Sequence, residues 1–254
     1  MNDLIHLTAI ILAGGFGTRL RSVVSDVPKP MAPIGPRPFL EYQLNYLGRS
    51  GIRSVVLSTG YKAAMIKTHF GDNWNGIHLR YSHEEEPLGT GGAMIKAARL
   101  LPDAAHALVM NGDTYFPISL RRMLASHQQR EAALSMAMFK TDVVGRYSQF
   151  QLALDGQLSA CGPDMISPYK SGGIYILSPN IVSELRECDE AKRSFEDDLM
   201  PNFLKQNLLL YAFLDNCPFI DIGVPQDYAR AADVITTHEH GVFFEFTENK
   251  ERRF

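Results

Sequence analysis

A glycine-rich loop that directly follows an apolar run near the N-terminus constrains this chain more than any other feature. The run Thr8–Leu12 predicts a buried strand, and Ala13-Gly14-Gly15-Phe16-Gly17-Thr18-Arg19-Leu20 follows it without a break. Glycines allow backbone N–H groups to approach a polyphosphate with no Cβ in the way. Arg19 adds a planar cation suited to phosphate oxygens, and Lys29 adds a second cation from the stiff segment Pro28-Lys29-Pro30. The loop is therefore a candidate phosphate-binding site at the end of a strand.

Two common phosphate-binding loops do not fit this stretch. A P-loop would close on Gly-Lys-Ser or Gly-Lys-Thr, which the chain lacks here. The dinucleotide fingerprint Gly-x-Gly-x-x-Gly does not match the spacing of Gly14, Gly15 and Gly17. A tight strand-to-helix turn remains the plain structural alternative for the glycines alone.

The rest of the chain predicts an α/β fold. Apolar strand-like runs alternate with amphipathic stretches in the first half, which is typical of a parallel sheet wrapped by helices. The predicted strands there are Thr8–Leu12, Ser54–Ser58, His78–Tyr81, Ala107–Met110 and Leu134–Phe139, and the predicted helices are Phe39–Ser50, Lys62–Phe70 and Gly91–Leu101.

The second half has a different pattern and is richer in strands. Phe150–Leu154 and Gln157–Cys161 flank the turn pair Asp155-Gly156 and predict a hairpin. Further predicted elements are the strands Gly173–Leu177 and Leu208–Leu214 and the closing helix Gln226–Thr237. The sequence therefore predicts a doubly wound, Rossmann-like, mostly parallel sheet flanked by helices, with a small β-rich insertion.

Composition and charge narrow the partners and the compartment. A net charge of −3 argues against a general nucleic-acid binder, which normally carries a basic surplus. Cys161, Cys188 and Cys217 have no metal-type spacing and leave an odd thiol, which is typical of a reducing cytosol. The N-terminus has neither a basic leader nor a long apolar segment. We expect a cytoplasmic protein without a membrane partner.

Two aspartates are candidate metal ligands. Asp113, in Asn111-Gly112-Asp113, follows the predicted strand Ala107–Met110, and open α/β sheets bind ligands at the carboxyl ends of their strands. Asp221 interrupts the apolar run Phe219-Ile220-Asp221-Ile222-Gly223, where an aspartate seldom lies without a partner. Mg²⁺ prefers few carboxylates plus phosphate oxygens, which two aspartates would satisfy. A turn-forming or helix-capping role is the alternative for Asp113.

The motifs together resemble a known family. The loop Gly-Gly-x-Gly-Thr-Arg-Leu with a downstream Pro-Lys-Pro is similar to the signature of the sugar-1-phosphate nucleotidyltransferases, over most of residues 7–235. The stretches Arg19-Leu20-Arg21-Ser22-Val23-Val24, Met31-Ala32-Pro33 and Pro38-Phe39-Leu40-Glu41-Tyr42 look like the branch that guanylylates D-glycero-D-manno-heptose 1-phosphate. The resemblance implies one domain over residues 1–254, with a nucleotide-binding half at about 1–140 and a sugar-binding and closing half at about 141–240.

The resemblance also implies site residues, a cofactor and substrates. The substrates would be a nucleoside triphosphate, GTP in this branch, and a sugar 1-phosphate, and Mg²⁺ would be held by Asp113 and Asp221. The catalytic candidates are Arg19, Lys29, Asp113 and Asp221. The nucleotide-binding candidates are Leu12, Ala13, Gly14, Gly15, Gly17, Thr18, Glu86, Gly89, Thr90 and Gly91. The sugar-binding candidates are Tyr147, Lys170, Gly173 and Glu196.

Several of these candidates also have ordinary structural interpretations. Glu86-Pro87-Leu88-Gly89-Thr90-Gly91-Gly92-Ala93 can be a helix start with Thr90 as its N-cap, although the resemblance implies that it faces the nucleobase. Tyr147 can be a packed aromatic, Gly173 a strand glycine and Glu196 an acid at a helix N-terminus.

One departure from the family keeps other functions open. Many relatives carry a Glu-Lys pair about ten residues before the Gly-Gly strand, and its lysine contacts the sugar phosphate; this chain has Cys161-Gly162-Pro163-Asp164-Met165 there. Lys170 lies nearby in a different register and could substitute. The alternatives are a cytidylyl- or uridylyltransferase acting on a hexose 1-phosphate or related sugar, and a non-catalytic homologue that binds nucleotide sugars. A homo-oligomer is the common state of such enzymes.

Overall fold

The computed structural model describes residues 3–15, 17, 20, 23–24, 26–141, 149–162 and 167–240. The strands are β1 (Thr8–Leu12), β2 (Pro33–Ile34), β3 (Arg37–Pro38), β4 (Ser54–Thr59), β5 (Asn73–Trp74), β6 (Ile77–His83), β7 (Ala107–Asn111), β8 (Thr114–Tyr115), β9 (Leu134–Lys140), β10 (Gln149–Leu152), β11 (Leu158–Gly162), β12 (Tyr169–Leu177), β13 (Leu210–Leu214) and β14 (Ile220–Asp221). The α-helices are α1 (Phe39–Ser50), α2 (Ala63–Phe70), α3 (Gly89–Ala98), α4 (Leu120–Gln129), α5 (Pro179–Glu187), α6 (Met200–Lys205) and α7 (Pro225–His240). A π-helical turn, Phe195–Leu199, precedes α6.

The central strands of the sheet are parallel, and their carboxyl ends lie next to one another in register. Strand β1 pairs in parallel with β4 on one side and β7 on the other, and β6 continues the parallel set beyond β4. Leu12, at the end of β1, pairs with Ser58 of β4 and Asn111 of β7. The loops that leave these three strands therefore meet at one edge, where open α/β sheets bind ligands.

Alternate residues of β1 serve the two faces of this sheet. Ala9 and Ile11 belong to the apolar core that includes residues of α1, α4 and α7. Ile10 belongs to the second core, with residues of α3, α5 and α6. A strand that is buried on both faces must be apolar throughout, as Thr8–Leu12 nearly is. Helices thus cover both faces, and the prediction of a doubly wound α/β fold is confirmed.

The second half extends the sheet mainly with antiparallel strands, and it includes the hairpin that the sequence predicts. Strand β12 runs antiparallel to β7 and to β9, and β10 and β11 form a hairpin whose turn contains Gly156 at φ 86°. Strand β13 pairs in parallel with β9. The register of β12 against β9 shifts between Ser171 and Tyr175, which is a bulge around Gly173 at φ 71°.

Several elements differ from the sequence prediction. Helix α3 begins at Gly89 and ends at Ala98, whereas the apolar spacing predicts Gly91–Leu101. Helices α4, α5 and α6 are absent from the prediction, although Ser119 and Ser178 cap α4 and α5 through their side chains. Cys161, Cys188 and Cys217 are free thiols within the described residues. No helix in the described part of the chain is long and apolar enough to cross a membrane.

A buried histidine predicts how stability depends on pH. His127 is only 1% exposed, and its Nδ1 lies 2.9 Å from Ser135 Oγ. Burial, together with the neighbouring His106, lowers the pKa of His127 to about 4. The unfolded chain takes up a proton near pH 6.5, whereas the folded chain does so only near pH 4, so the free energy of unfolding falls as the pH drops through this window. We expect this histidine to account for about 3 kcal/mol of that loss by pH 4.

Denaturant unfolding of wild-type protein and of His127→Gln between pH 7.5 and 4.5 tests the expectation. The stability difference between the two should narrow as the pH falls. The matched control His78→Gln removes an exposed histidine. Its free energy of unfolding should change with pH as that of the wild type does. A constant stability difference between wild type and His127→Gln would contradict the assignment.

Candidate active site

A cavity lies at the carboxyl edge of the parallel strands. Its volume of about 260 Å³ is close to the lower end of the roughly 300–1,000 Å³ that small-molecule sites span. Eight of the residues that line it are candidates from the sequence: Leu12, Ala13, Gly14, Gly15, Lys29, Gly89, Thr90 and Asp113. Pro30, Glu84, Pro87, Ala93, Asn111 and Gly112 complete the wall. The structure therefore brings the two glycine-rich segments and two of the catalytic candidates to one place.

A buried glutamine holds the turn that carries Asp113. Gln43 of α1 is fully buried, and its Nε2 donates to the carbonyl oxygens of Asn111 and Thr114, each at 2.8 Å. These carbonyls lie on either side of Gly112-Asp113, and the Gly112 N–H donates to the Leu12 carbonyl at 3.0 Å. The turn is thus fixed both to the helix below it and to the end of β1.

Asp221 lies beside Asp113 because a short strand pair joins their segments. Strand β14 pairs with β8 so that Asp221 is opposite Thr114, and the Ile222 N–H donates to the Asp113 carbonyl at 2.9 Å. Asp221 is 7% exposed, and its Oδ1 accepts from the Gly223 N–H at 2.8 Å. The segment that breaks the apolar run therefore delivers a buried carboxylate to the same edge of the sheet.

The two carboxylates and Lys29 surround one point. A Cβ placed on Gly223 would lie 2.8 Å from Asp221 Oδ1, 2.9 Å from Lys29 Nζ and 3.5 Å from Asp113 Oδ2. Lys29 Nζ also forms an ion pair with Asp113 Oδ2 at 2.7 Å, and the two side chains are 13% and 30% exposed. The three groups form a partly buried polar cradle that glycine leaves open.

Gly17 fits against the stem of Lys29. A Cβ on Gly17 would lie 3.2 Å from Lys29 Cβ and 3.3 Å from Lys29 Cε, and the residue has φ 59°. Both the left-handed backbone and the close lysine stem favour glycine here. The loop after β1 therefore helps to fix the lysine.

The acid that lines the cavity is Glu84, not Glu86. Glu86 is exposed and is not part of the cavity wall, whereas Glu84 is 7% exposed. Glu84 Oε1 accepts from Ser58 Oγ at 2.9 Å, and its Oε2 accepts from the Leu88 N–H at 3.1 Å. Glu84 directly follows β6, so the edge rule that points to Asp113 also applies to it.

The second glycine loop starts α3 in a way that the sequence does not predict. Thr90 is not the N-cap: the cap position is Leu88, which makes no side-chain cap bond. The N–H groups of Gly91 and Gly92 donate instead to the carbonyl of Arg193, at 2.9 and 3.3 Å. A distant segment thus takes the role of the cap, and the Gly91 N–H is already engaged.

Glu196 and Gly173 belong to one hydrogen-bonded chain. Glu196 Oε1 accepts from Tyr175 Oη at 2.7 Å, Tyr175 Oη lies 2.9 Å from Ser171 Oγ, and Ser171 Oγ accepts from the Gly173 N–H at 3.2 Å. Burial and the Glu196 carboxylate raise the pKa of Tyr175 well above its ordinary value, so its hydroxyl remains a donor. This chain connects the bulge in β12 to the π-helical turn.

Lys170 is buried without a hydrogen bond or ion pair to the described residues. It is 1% exposed, and burial lowers the pKa of its ammonium. Lys170 pairs across the strands with Phe139, so both side chains lie on the same face of the sheet. The Phe139 ring stacks on Phe219, two residues before Asp221, with centroids 4.2 Å apart.

Three candidates, Thr18, Arg19 and Tyr147, lie outside the described residues. A second cavity of about 290 Å³ is lined by residues of α5, α6 and the segment between them, and it contains none of the sequence candidates. Within the described residues, no group of three or more His, Cys, Asp or Glu side chains is arranged to hold a metal ion. Any metal at Asp113 and Asp221 would therefore need oxygens from a substrate or from water.

Known proteins are similar to this chain over most of its length. The family model for nucleotidyl transferases matches residues 8–238. The chain is 43% identical to the D-glycero-alpha-D-manno-heptose 1-phosphate guanylyltransferase of Aneurinibacillus thermoaerophilus, over 89% of this chain and 96% of the relative. It is 38% identical to the enzyme of the same name from Campylobacter jejuni, over 87% and 97%.

A solved structure is similar over the same extent. HddC from Yersinia pseudotuberculosis, complexed with GMP-PN, has a TM-score of 0.76 and 33% identity, over 89% of this chain and 98% of that one.

Proposed function

The chain belongs to the nucleotidyl transferase family, and on that premise we propose that it transfers the guanylyl group of GTP to D-glycero-α-D-manno-heptose 1-phosphate. An oxygen of the sugar phosphate forms a bond to the α-phosphorus, and the bond from that phosphorus to the oxygen bridging to the β-phosphate breaks. The products are a guanosine-diphosphate sugar and pyrophosphate. The observation that carries the proposal is the cradle of Lys29, Asp113 and Asp221 beside a glycine-lined cavity.

The reaction needs positioning and charge neutralisation more than covalent chemistry. A sugar phosphate is already an ionised nucleophile at neutral pH, so no strong general base is required. Two anions must be held in line while charge develops on the leaving pyrophosphate. We assign Lys29 and Arg19 to the phosphate oxygens, and the glycine loop at Gly14, Gly15 and Gly17 to the polyphosphate.

Asp113 and Asp221 would hold Mg²⁺. Their oxygens are hard donors close to one point, and magnesium commonly takes one or two carboxylates and completes its shell with phosphate oxygens and water. When bound, the ion supplies charge neutralisation at the phosphates. The ion pair between Lys29 and Asp113 offsets the charge of one of the two carboxylates before substrates arrive.

Glu84 is the group that we assign to the guanine base. Guanine presents two donors side by side, N1–H and the 2-amino group, and a carboxylate can accept from both. The bonds from Ser58 and Leu88 leave lone pairs of Glu84 available within the cavity, because an ionised carboxylate has about four acceptor positions. Leu12, Ala13, Gly89 and Thr90 would provide the surrounding wall.

The sugar 1-phosphate would occupy the second half of the chain, at about residues 141–240 of a single domain. Glu196 would accept from sugar hydroxyls, and Gly173 with Tyr147 would complete this part of the site. We also propose a cytoplasmic location, where nucleoside triphosphates are available, and a homo-oligomeric state, which is common among soluble enzymes.

Lys170 takes the place of the missing family lysine in this proposal. A buried ammonium that pairs with none of the described residues is unfavourable for folding, and a bound phosphate would supply a compensating charge. We expect Lys170→Met to raise the KM for the sugar 1-phosphate by about 10- to 100-fold, the effect of one lost charge-assisted hydrogen bond. The same change should raise the free energy of unfolding by about 1 kcal/mol, because a buried charge is removed.

Steady-state kinetics measures the KM of Lys170→Met, and denaturant unfolding measures its free energy of unfolding. Lys140→Met is the matched control, because Lys140 is an exposed lysine on β9, next to Phe139, and neither quantity should change. If the KM of Lys170→Met for the sugar 1-phosphate were unchanged, Lys170 would not replace the family lysine. A large loss of stability would show that the ammonium has a folding partner.

A substrate panel tests the proposed function. Pyrophosphate release is measured with GTP, ATP, CTP, UTP and dTTP against heptose, mannose and glucose 1-phosphates. Release should require both a triphosphate and a sugar phosphate, and EDTA should stop it. Release with a pyrimidine triphosphate and a hexose phosphate would favour the alternative transferase, and no release with any pair would favour a non-catalytic homologue.

A further inference from the structure

The segment before the π-helical turn is fastened to the loop that starts α3. The Arg193 N–H donates to the Leu88 carbonyl at 2.8 Å, and the Arg193 carbonyl accepts from Gly91 and Gly92. We call residues 191–195 the clasp segment. It joins the proposed nucleobase side of the site to the proposed sugar side by main-chain hydrogen bonds.

The glycines of that loop permit this close contact. A Cβ on Gly89 would lie 2.4 Å from the Arg193 oxygen, and a Cβ on Gly92 would lie 2.5 Å from the Ala191 oxygen. Real Cβ atoms do not approach backbone oxygens so closely, and Gly89 also has φ 70°. The composition of Gly89-Thr90-Gly91-Gly92 therefore suits contact with the clasp segment as well as contact with a ligand.

The side chain of Thr90 makes the last link of this contact. Thr90 Oγ1 accepts from the Phe195 N–H at 2.9 Å, although the two residues are 105 positions apart in the sequence. Phe195 directly precedes Glu196, whose carboxylate is held from the other side by Tyr175 Oη at 2.7 Å. Two hydroxyl groups therefore position Glu196. The Thr90 hydroxyl binds the backbone of the preceding residue, and the Tyr175 hydroxyl binds the Glu196 carboxylate.

We infer that Thr90 is a positioning residue for the sugar 1-phosphate site. Its hydroxyl fixes the start of the π-helical turn, and the turn fixes the direction of the Glu196 carboxylate. π-Helical segments are unusual and occur often at functional sites, since they present side chains that an α-helix would not. The inference rests on the proposed function, because it assigns Glu196 to the sugar. The Thr90 hydrogen bond adds a side-chain contact to the main-chain bonds that join the two substrate sites.

Two variants at one position test the inference. Thr90→Val keeps the shape of the side chain and removes the acceptor, whereas Thr90→Ser keeps the acceptor. We expect Thr90→Val to raise the KM for the sugar 1-phosphate about tenfold, as for one lost hydrogen bond, and Thr90→Ser to stay within about twofold of wild type. The Kd for GTP, measured by calorimetry without sugar phosphate, should change less in Thr90→Val than the KM for the sugar 1-phosphate does, because valine keeps the shape of the cavity wall at this position.

A control and a double variant separate positioning from general damage. Thr236→Val removes a hydroxyl that donates to a backbone carbonyl in α7, and it should leave both constants unchanged. Combined with Glu196→Gln, Thr90→Val should add less than about twofold to KM, because contacts within one network are not additive. Thermal melting of every variant shows that each one is folded.

The outcomes distinguish this inference from the function on which it rests. Active wild-type protein with equal KM values in Thr90→Val and Thr90→Ser would overturn the inference and leave the function standing. Additive effects in the double variant, or a loss confined to GTP binding, would also overturn it. Wild-type protein without turnover on any substrate pair would overturn both.

Discussion

Replacing Lys29 by methionine should lower kcat by about 100- to 1000-fold, the usual effect of removing one preorganised charge contact from a water-poor site. The methionine keeps the length of the stem that packs against Gly17 and removes only the ammonium. The charge on the reacting phosphate oxygens would then lack the contact that we assign to Lys29. The loss should appear mainly in kcat, because the contact strengthens as the bond to the leaving group breaks.

A second ion pair provides the control for this prediction. Lys67 pairs with Asp72 on the surface, with side chains that are 46% and 72% exposed, so Lys67→Met breaks a lysine–aspartate pair far from the cradle. Its kcat should equal that of wild type, and both variants should melt within a few degrees of wild type. A Lys29→Met enzyme with near-wild-type kcat would remove Lys29 from the catalytic group.

Replacing Glu84 by glutamine should lower kcat/KM for GTP by about 100-fold, because a charge-assisted hydrogen bond contributes about 1.5–3 kcal/mol. It should also abolish the preference for GTP over ITP, which lacks only the 2-amino group. Glutamine offers one acceptor oxygen where the carboxylate offers two, so it cannot accept from both guanine donors while it keeps Ser58 and Leu88. Sites built around such bonds reject analogues that leave buried polar groups unpaired.

Glu86→Gln is the matched comparison, since the family resemblance implies that the loop containing Glu86 faces the nucleobase. Glu86 is exposed, and its substitution should leave the ratio of kcat/KM for GTP and ITP unchanged. If the preference for GTP over ITP were lost in Glu86→Gln and kept in Glu84→Gln, Glu86 and not Glu84 would be the residue that recognises guanine. A melting curve of Glu84→Gln shows whether the loss of the Ser58 contact alone weakens the fold.

The strand pattern and the catalytic edge could be predicted from the sequence for a simple physical reason. Strands buried on both faces must be apolar, so Thr8–Leu12 and Ala107–Met110 stand out, and the residues after them must lie at the ligand edge. The same rule predicts the position of Asp113. Asp221 also stands out, because a carboxylate within an apolar run needs a specific reason to be there.

Contacts between distant segments could not be predicted in this way. The start of α3 depends on the carbonyl of Arg193, which no local pattern around Thr90 reveals. The capping interpretation of Thr90 was wrong because a tertiary hydrogen bond to Phe195 occupies its hydroxyl. The burial of Lys170 is a further case, since a lysine two residues before a glycine pair gives no local sign that its ammonium is enclosed.

The measurement that tests the account most directly is a comparison of kcat/KM for the five common triphosphates with D-glycero-α-D-manno-heptose 1-phosphate as acceptor. Mass spectrometry identifies the product in each case. The account predicts a guanosine-diphosphate heptose as the main product and a GTP preference on the order of 10⁴ over CTP and UTP. A clear preference for CTP or UTP, or the absence of any nucleotide-sugar product, would contradict it.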